Sequence, residues 1–225
     1  MKILVTSGAT EEPIDGVRYI TNFSTGKTGA IIADRLSSLG VQVTYLHGSK
    51  AEQAEQAIEK HCFTSFRSLD KKLKELLSSE DYDGIIHLAA VSDYSVEYIE
   101  TENGQKIIAN DKGKISSDNE ALILHLKKNF KILPRLKEYS RTKEALFVIG
   151  FKLTDTDSAE EMQDAVGKLL AGAFVDLVVH NKLRDITATS HPAMLYDADG
   201  KLVCHTETKE ELADKLYQIL KDKGC

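Results

Sequence analysis

Thr21-Asn22-Phe23-Ser24-Thr25-Gly26-Lys27-Thr28-Gly29 is the stretch that decides how the chain folds. It closes a long first loop and opens a helix. Gly26 and Gly29, three residues apart, let a backbone approach a bulky anion with no Cβ in the way. Ser24 and Thr25 are capping residues with hydroxyls to offer. The N–H groups of the first turn point at whatever lies beyond, backed by the positive end of the helix dipole. Lys27 adds a movable charge. Asn22, just outside, is an amide placed to orient a reacting carbonyl or phosphoryl oxygen. Together these residues make a phosphate cradle; with no ligand, the same stretch is an ordinary capped helix. Two other cradles are excluded. A P-loop needs glycine at position 21, where Thr21 stands, although Gly26-Lys27-Thr28 fits its end. A dinucleotide fingerprint needs three glycines after the first strand, and Ser7-Gly8-Ala9-Thr10-Glu11-Glu12-Pro13 has one.

Outward from the cradle, Lys2–Thr6 is a short apolar run that predicts a buried strand. Gly8–Phe23 is a long loop of the kind that is usually functional. Thr25–Leu39 predicts a helix with Ile31, Ile32, Leu36 and Leu39 inward and Gly40 as its stop. Then come a strand over Val41–Leu46, a polar helix-like Ala/Glu/Gln stretch, a short strand near Cys62–Phe66, and a helix over Leu69–Leu77. Gly84–Leu88 is the central strand. Between Tyr94 and Ser117 the pattern is lost, and Lys106, Lys112 and Lys114 suggest an exposed flap. Strands at Leu122–Leu126, Leu146–Phe151 and Asp176–Val179 alternate with helices at Phe130–Tyr139 and after Ser158, whose Glu161 completes a capping box. Asp199-Gly200 turns a hairpin, and Thr208 with Glu211 caps the last helix. The expected fold is α/β, a three-layer Rossmann-like sheet, mostly parallel, helices on both faces, with a flap and a C-terminal hairpin plus helix. One domain over residues 1–225 is expected.

A formal net charge of −6 argues against a nucleic-acid surface, and no dense basic run appears. Hydrophobic content of 42% supports one sizeable core. No apolar run approaches a membrane span, and Met1 leads directly into a strand rather than a signal peptide. Cys62, Cys204 and Cys225 show no metal-ligand spacing and read as reduced thiols, which points to the cytoplasm.

Parallel topology brings the residues that follow each strand to one rim. These are Gly8, Ala89-Ala90 with Asp93, Phe151 and Asn181. The alanines leave room for a ligand, or pack tightly. Asp93 accepts from ribose hydroxyls or an amine, or forms a turn. Phe151 stacks on a base, or is core. Asn181 pairs with a base edge. A mobile lysine of the flap, closing over a triphosphate, would stabilise charge in a displacement at phosphorus.

Nearly end to end, the chain resembles phosphopantothenoylcysteine synthetase, also called phosphopantothenate–cysteine ligase, of the stand-alone bacterial type. The resemblance rests on Thr6–Asp15, on Val17-Arg18-Tyr19-Ile20-Thr21-Asn22 joined to Ser24–Gly29, on Ala89–Tyr94, on Lys114-Ile115 and on Gly150-Phe151. It implies a CTP-dependent activation of 4′-phosphopantothenate to an acyl-nucleotidylate, then displacement of the nucleotide by the amine of L-cysteine. It places the catalytic roles on Asn22, Arg18 and Lys114, with Arg18, Asn22, Ala89 and Ala90 at the acyl substrate. Nucleotide contacts fall on Gly8, Ser24, Gly26, Gly29, Asp93, Lys114, Phe130, Lys131, Ile132, Leu133, Phe151, Lys168 and Asn181. Mg2+ would be held by the nucleotide phosphates, not by side chains. A homodimer is implied, with an arginine reaching the neighbouring site, and so is a separate phosphopantothenoylcysteine decarboxylase. The chain departs from the family at the flap, reduced to Lys114-Ile115-Ser116-Ser117, and at Lys128-Asn129-Phe130, where a proline usually follows the asparagine. A second late-helix lysine is replaced near Gly172-Ala173.

Two rivals remain. Tyr139-Ser140-Arg141-Thr142-Lys143 fits the Y-x-x-x-K of short-chain dehydrogenases, but it lies close to a strand rather than mid-helix, and no glycine fingerprint accompanies it. A non-catalytic nucleotide sensor would not need Asn22, Arg18 and Lys114 together.

Overall fold

Lys2–Ser7 forms β1, with Ile3 through Ser7 all buried, as a strand covered on both faces requires. The computed structural model describes residues 1–56, 59–110, 112–187 and 190–224. The long first loop is not irregular throughout. Its ends pair as an antiparallel ribbon of β2 (Glu11–Pro13) and β3 (Tyr19–Thr21). The chain continues through α1 (Lys27–Ser38), β4 (Gln42–Gly48), β5 (Glu59–Phe63), α2 (Phe66–Ser79) and β6 (Gly84–His87). The expected helix between β4 and β5 is absent among the described residues. Asp34 takes the N–H groups of Glu55 and Gln56 at 3.0 and 2.9 Å, and Tyr45 donates to the Glu52 carbonyl. Backbone groups tied to side chains in this way cannot close helical hydrogen bonds.

The expected flap is itself a sheet. β7 (Tyr94–Thr101) pairs antiparallel with β8 (Lys106–Ile108) on one side and β9 (Leu122–Lys128) on the other. A register shift between Val96 and Tyr98 moves the alternation by one residue, which conceals a period-two pattern in sequence. The predicted helix over Phe130–Tyr139 is a 3₁₀ turn at Leu133–Arg135 followed by α3 (Leu136–Tyr139). Pro134 lacks the N–H that a longer helix would need there. The rest is β10 (Phe147–Thr154), α4 (Ala159–Leu170), β11 (Leu177–Lys182), β12 (Ala193–Asp197), β13 (Leu202–Thr206) and α5 (Lys209–Asp222). Ser158 and Thr208 cap α4 and α5 through the N–H groups of Glu161 and Glu211, but the reciprocal half of the expected box at α4 is not made, because the Ser158 N–H donates to Thr156 Oγ1 instead.

The main sheet has the order β13-β12-β11-β10-β6-β1-β4-β5, parallel from β11 to β5, with β12 and β13 as an antiparallel edge. Ile32, Leu36, Leu212 and Leu216 pack α1 and α5 on one face; Leu69, Leu73, Leu136 and Val166 pack α2, α3 and α4 on the other. Each such buried aliphatic side chain is worth about 1.5–3 kcal/mol relative to exposure, enough to hold the helices in register. From β1 the chain winds outward through β4 and β5, then returns to β6 on the opposite side. The crevice between the carboxyl ends of β1 and β6 is therefore the topological switch point. Cys62 and Cys204 are free thiols, and Cys225 lies outside the described residues. Among the described residues no helix is long and apolar enough to cross a membrane.

Candidate functional site

A cavity of about 960 Å³ opens at this switch point. It straddles the carboxyl edge of the sheet. Phe151 packs on the α1 and α5 face, and strand alternation puts Asn181 there with it. Ile132 and Leu133 pack on the opposite face, near α4 and Lys168. Ala89, Ala90 and Asp93 line the cavity just past the end of β6.

The start of α1 lines the cavity through Ser24 to Gly29, but its glycines do a different job from the one expected. A Cβ on Gly26 would meet Ala51 at 2.6 Å, and one on Gly29 would meet the Ser7 hydroxyl at 2.2 Å. The missing side chains let α1 dock against the end of β1, where Ser7 donates to the Gly26 carbonyl at 2.9 Å. Gly26, in the left-handed region at φ 77°, is also the N-cap, so neither Ser24 nor Thr25 holds that position. Thr25 Oγ1 instead accepts the Lys27 N–H at 3.2 Å. The N–H groups of Thr28 and Gly29 have no partner among the described residues. Two free donors at the positive end of a helix favour an anion in front of them.

Other expected residues are placed less simply. The exposed carboxylate of Asp93 is paired with Lys131 at 2.5 Å. Phe130 lies edge-on to Phe66 and under the Arg135 guanidinium. Asn22 sits at the rim, its amide nitrogen 3.3 Å from the carbonyl of Val91, which lines the cavity. Gly8 does not line the cavity: its carbonyl accepts the Ala90 N–H, and a Cβ there would strike Ala51. Arg18 and Lys114 are elsewhere as well. Arg18 grips the buried carboxylate of Asp15 through Nε and Nη2 and donates to the Ile115 carbonyl. Asp15 also accepts the Ile115 N–H at 3.0 Å, so the pair clasps the segment after β8 to the first loop. The guanidinium beside it holds the Asp15 carboxyl well below the usual carboxylate range. Lys114, exposed, lines a second cavity of about 630 Å³ between that loop and the segment. Tyr139 and Lys143 are not part of the main cavity; the Tyr139 hydroxyl bonds Asp70, which removes the dehydrogenase motif from any cofactor site.

The sequence profile of the DNA/pantothenate metabolism flavoprotein C-terminal domain family matches residues 1–223. The chain belongs to that family. A DNA/pantothenate metabolism flavoprotein from Streptococcus pneumoniae superposes with a TM-score of 0.86 at 33% identity, covering 99% of each chain. The C-terminal domain of the coenzyme A biosynthesis bifunctional protein CoaBC superposes with a TM-score of 0.71 at 26% identity, covering 98% of this chain and 94% of that one. The bifunctional CoaBC of Thermococcus kodakarensis is 33% identical over 218 residues, which is 96% of this chain and 50% of that protein. The chain thus spans about half the length of the curated relatives it matches.

Within this member of the pantothenate-metabolism family, the cavity residues that escaped the sequence include His87, His191 and Lys209. His87 ends the central strand, two positions before the residues collected as its rim. Thr6 Oγ1 lies 2.9 Å from His87 Nδ1 and accepts the Ala89 N–H at 3.2 Å. No other acceptor is within reach of that hydroxyl among the described residues, so its proton is assigned to Nδ1 and the ring proton to Nε2. Burial pushes the His87 pKa down to about 4, which keeps the ring neutral at pH 7. His191 is pushed down to about 4 by burial and by the charge of Lys209. Its Nδ1 is buried with no partner, an arrangement that typically costs about 1–3 kcal/mol. The anion donors of α1, an amide at the rim and neutral donors in the wall suit an anionic substrate whose carbonyl must be held during attack.

Proposed function

We propose that the chain ligates L-cysteine to 4′-phosphopantothenate, as a single catalytic unit, at the expense of a nucleoside triphosphate. The observation that carries it is the open N-terminus of α1 in the switch-point cavity, with Asn22 just outside the lining and bonded to the cavity-wall carbonyl of Val91, in a chain of this family. The substrate carboxylate attacks the α-phosphorus, the phosphoanhydride bond breaks, and pyrophosphate leaves. The cysteine amine then attacks the acyl carbon. The Asn22 amide holds the acyl oxygen, and the nucleoside monophosphate departs as the amide forms. Magnesium enters only as the counter-ion carried by the phosphates, since it favours phosphate oxygens and water over an all-protein cage. CTP is the expected nucleotide. The expected homodimer is supported by the position of Arg18 and Lys114. Both lie along the clasp with the segment after β8, away from their own chain's cavity, where a second chain could receive them. A separate decarboxylase would then use the thiol product, which suits relatives named as bifunctional.

The test is pyrophosphate release from CTP and from ATP, with and without cysteine, with the product weighed by mass spectrometry. Release that depends on 4′-phosphopantothenate, an amide product, and a higher kcat/KM for CTP are expected. Comparable values for the two nucleotides would remove the CTP preference. Binding of a nicotinamide cofactor with no pyrophosphate would return the dehydrogenase reading.

A further inference from the structure

Five lysines line the cavity: Lys27, Lys131, Lys152, Lys168 and Lys209. Two already face carboxylates, Lys131 with Asp93 at 2.5 Å and Lys168 with Asp164 at 3.8 Å. Lys27 is exposed, and strand alternation puts Lys152 on the α4 face, away from the start of α1. Lys209 differs from all four. It is half-buried, and among the described residues no carboxylate stands within ion-pair distance of it. It is also the first residue of α5, where the positive end of the helix dipole opposes a cation. Lys27 shares that place at the start of α1 but stands in solvent, whereas half-buried Lys209 is the one of the two that an anion in the cavity would stabilise more.

His191 supplies an independent observation. It is only 9% exposed and lines the same cavity close enough to feel the charge of Lys209, while its unpartnered Nδ1 is itself covered by protein. Asn181 Nδ2 donates to the Pro192 carbonyl at 2.7 Å, which fastens the His191 segment to the end of β11. The unpartnered N–H groups of Thr28 and Gly29 open into the same cavity. α1, α5 and β11 thus converge on one chamber from distant parts of the chain.

We propose that Lys209 holds the β- and γ-phosphates of the bound nucleoside triphosphate against the N-terminus of α1, with His191 in the wall beside it. The assignment rests on the ligase function proposed above. As the carboxylate oxygen bonds to the α-phosphorus, the bond to the bridging oxygen breaks and its electron pair goes to the departing pyrophosphate. Lys209 stabilises that charge from within the resting fold, before any flap segment moves.

The experiment is calorimetric titration of the full chain with CTP, CMP and inorganic pyrophosphate, alongside thermal unfolding. Lys209→Gln should weaken CTP and pyrophosphate about tenfold to a hundredfold, the usual range for a charged hydrogen bond. CMP should be unaffected. Lys209→Arg should recover most of the loss. The unfolding midpoint of Lys209→Gln should be equal to or above wild type, because a cation has left a helix N-terminus. Unchanged CTP binding in Lys209→Gln, or equal losses for CTP and CMP, overturns the assignment alone. A wild-type chain that binds neither CTP nor pyrophosphate overturns both the assignment and the ligase function.

Discussion

At Asn22 the amide nitrogen makes one long contact, 3.3 Å to the Val91 carbonyl, which a substrate oxygen can displace. Asn22→Ala should therefore slow amide formation by about 10²–10³ while pyrophosphate release continues. Single-turnover mass spectrometry would show the acyl-nucleotidylate accumulating; product at the wild-type rate would remove Asn22 from the chemistry. His87 offers a second test. Its folded pKa, about 4, lies below the ordinary histidine value of 6.5. The unfolded chain thus takes up a proton first as pH falls. The contribution to stability is full above pH 6.5 and is lost as pH falls towards 4. Thermal unfolding between those limits should be less pH-dependent in His87→Gln than in wild type, with the difference vanishing above pH 7. A parallel pH profile would mean the ring is not held neutral.

The packing of α1 against β1 depends on Gly29 having no side chain. Gly29→Ala puts a Cβ 2.2 Å from the Ser7 hydroxyl and 2.5 Å from its Cβ. Denaturant unfolding should show a loss of about 1–3 kcal/mol, the usual cost of overpacking, and Ser7→Gly should restore part of it. If the double variant is no more stable than Gly29→Ala, the contact is not what the glycine serves. The segment after β8 has its own fastening in Asp15, Arg18 and Ile115. Because the Asp15 pKa is depressed, its contribution is present above the ordinary carboxylate value and is lost as pH falls below it. Asp15→Asn should speed amide hydrogen exchange at Ile115 at pH 7, where wild type protects it; equal exchange would show that the clasp does not order the segment.

At the scale of the whole molecule, the small sheet of β7, β8 and β9 leaves apolar residues uncovered. Ile108 and Ile123 are exposed on one of its faces, and Val17 is exposed on the nearby loop. A second chain covering this surface would give a dimer of about 50 kDa from two 24.9 kDa chains. Ile123→Glu should shift the mass measured by light scattering towards one chain and lower ligase activity at nanomolar concentration. A monomeric wild type with full activity would contradict a shared site.

Local patterns carried much of this fold by themselves. The buried runs of β1, β6 and β10, the capping pairs Ser158–Glu161 and Thr208–Glu211, and the Asp199-Gly200 turn each depend on neighbours within a few residues, so the sequence by itself determined them. It also pointed to the start of α1, which the structure places in the wall of the main cavity. Only the tertiary structure decided what the glycines at 26 and 29 touch, because Ser7 and Ala51 reach them through sheet pairing rather than sequence spacing. It alone turned Arg18 onto Asp15 and separated Phe151 from Leu133 across the sheet. It also gave Lys209 its meaning, since a lysine opening a helix acquires a function only from the cavity that the winding of β1, β6, β10 and β11 places in front of it.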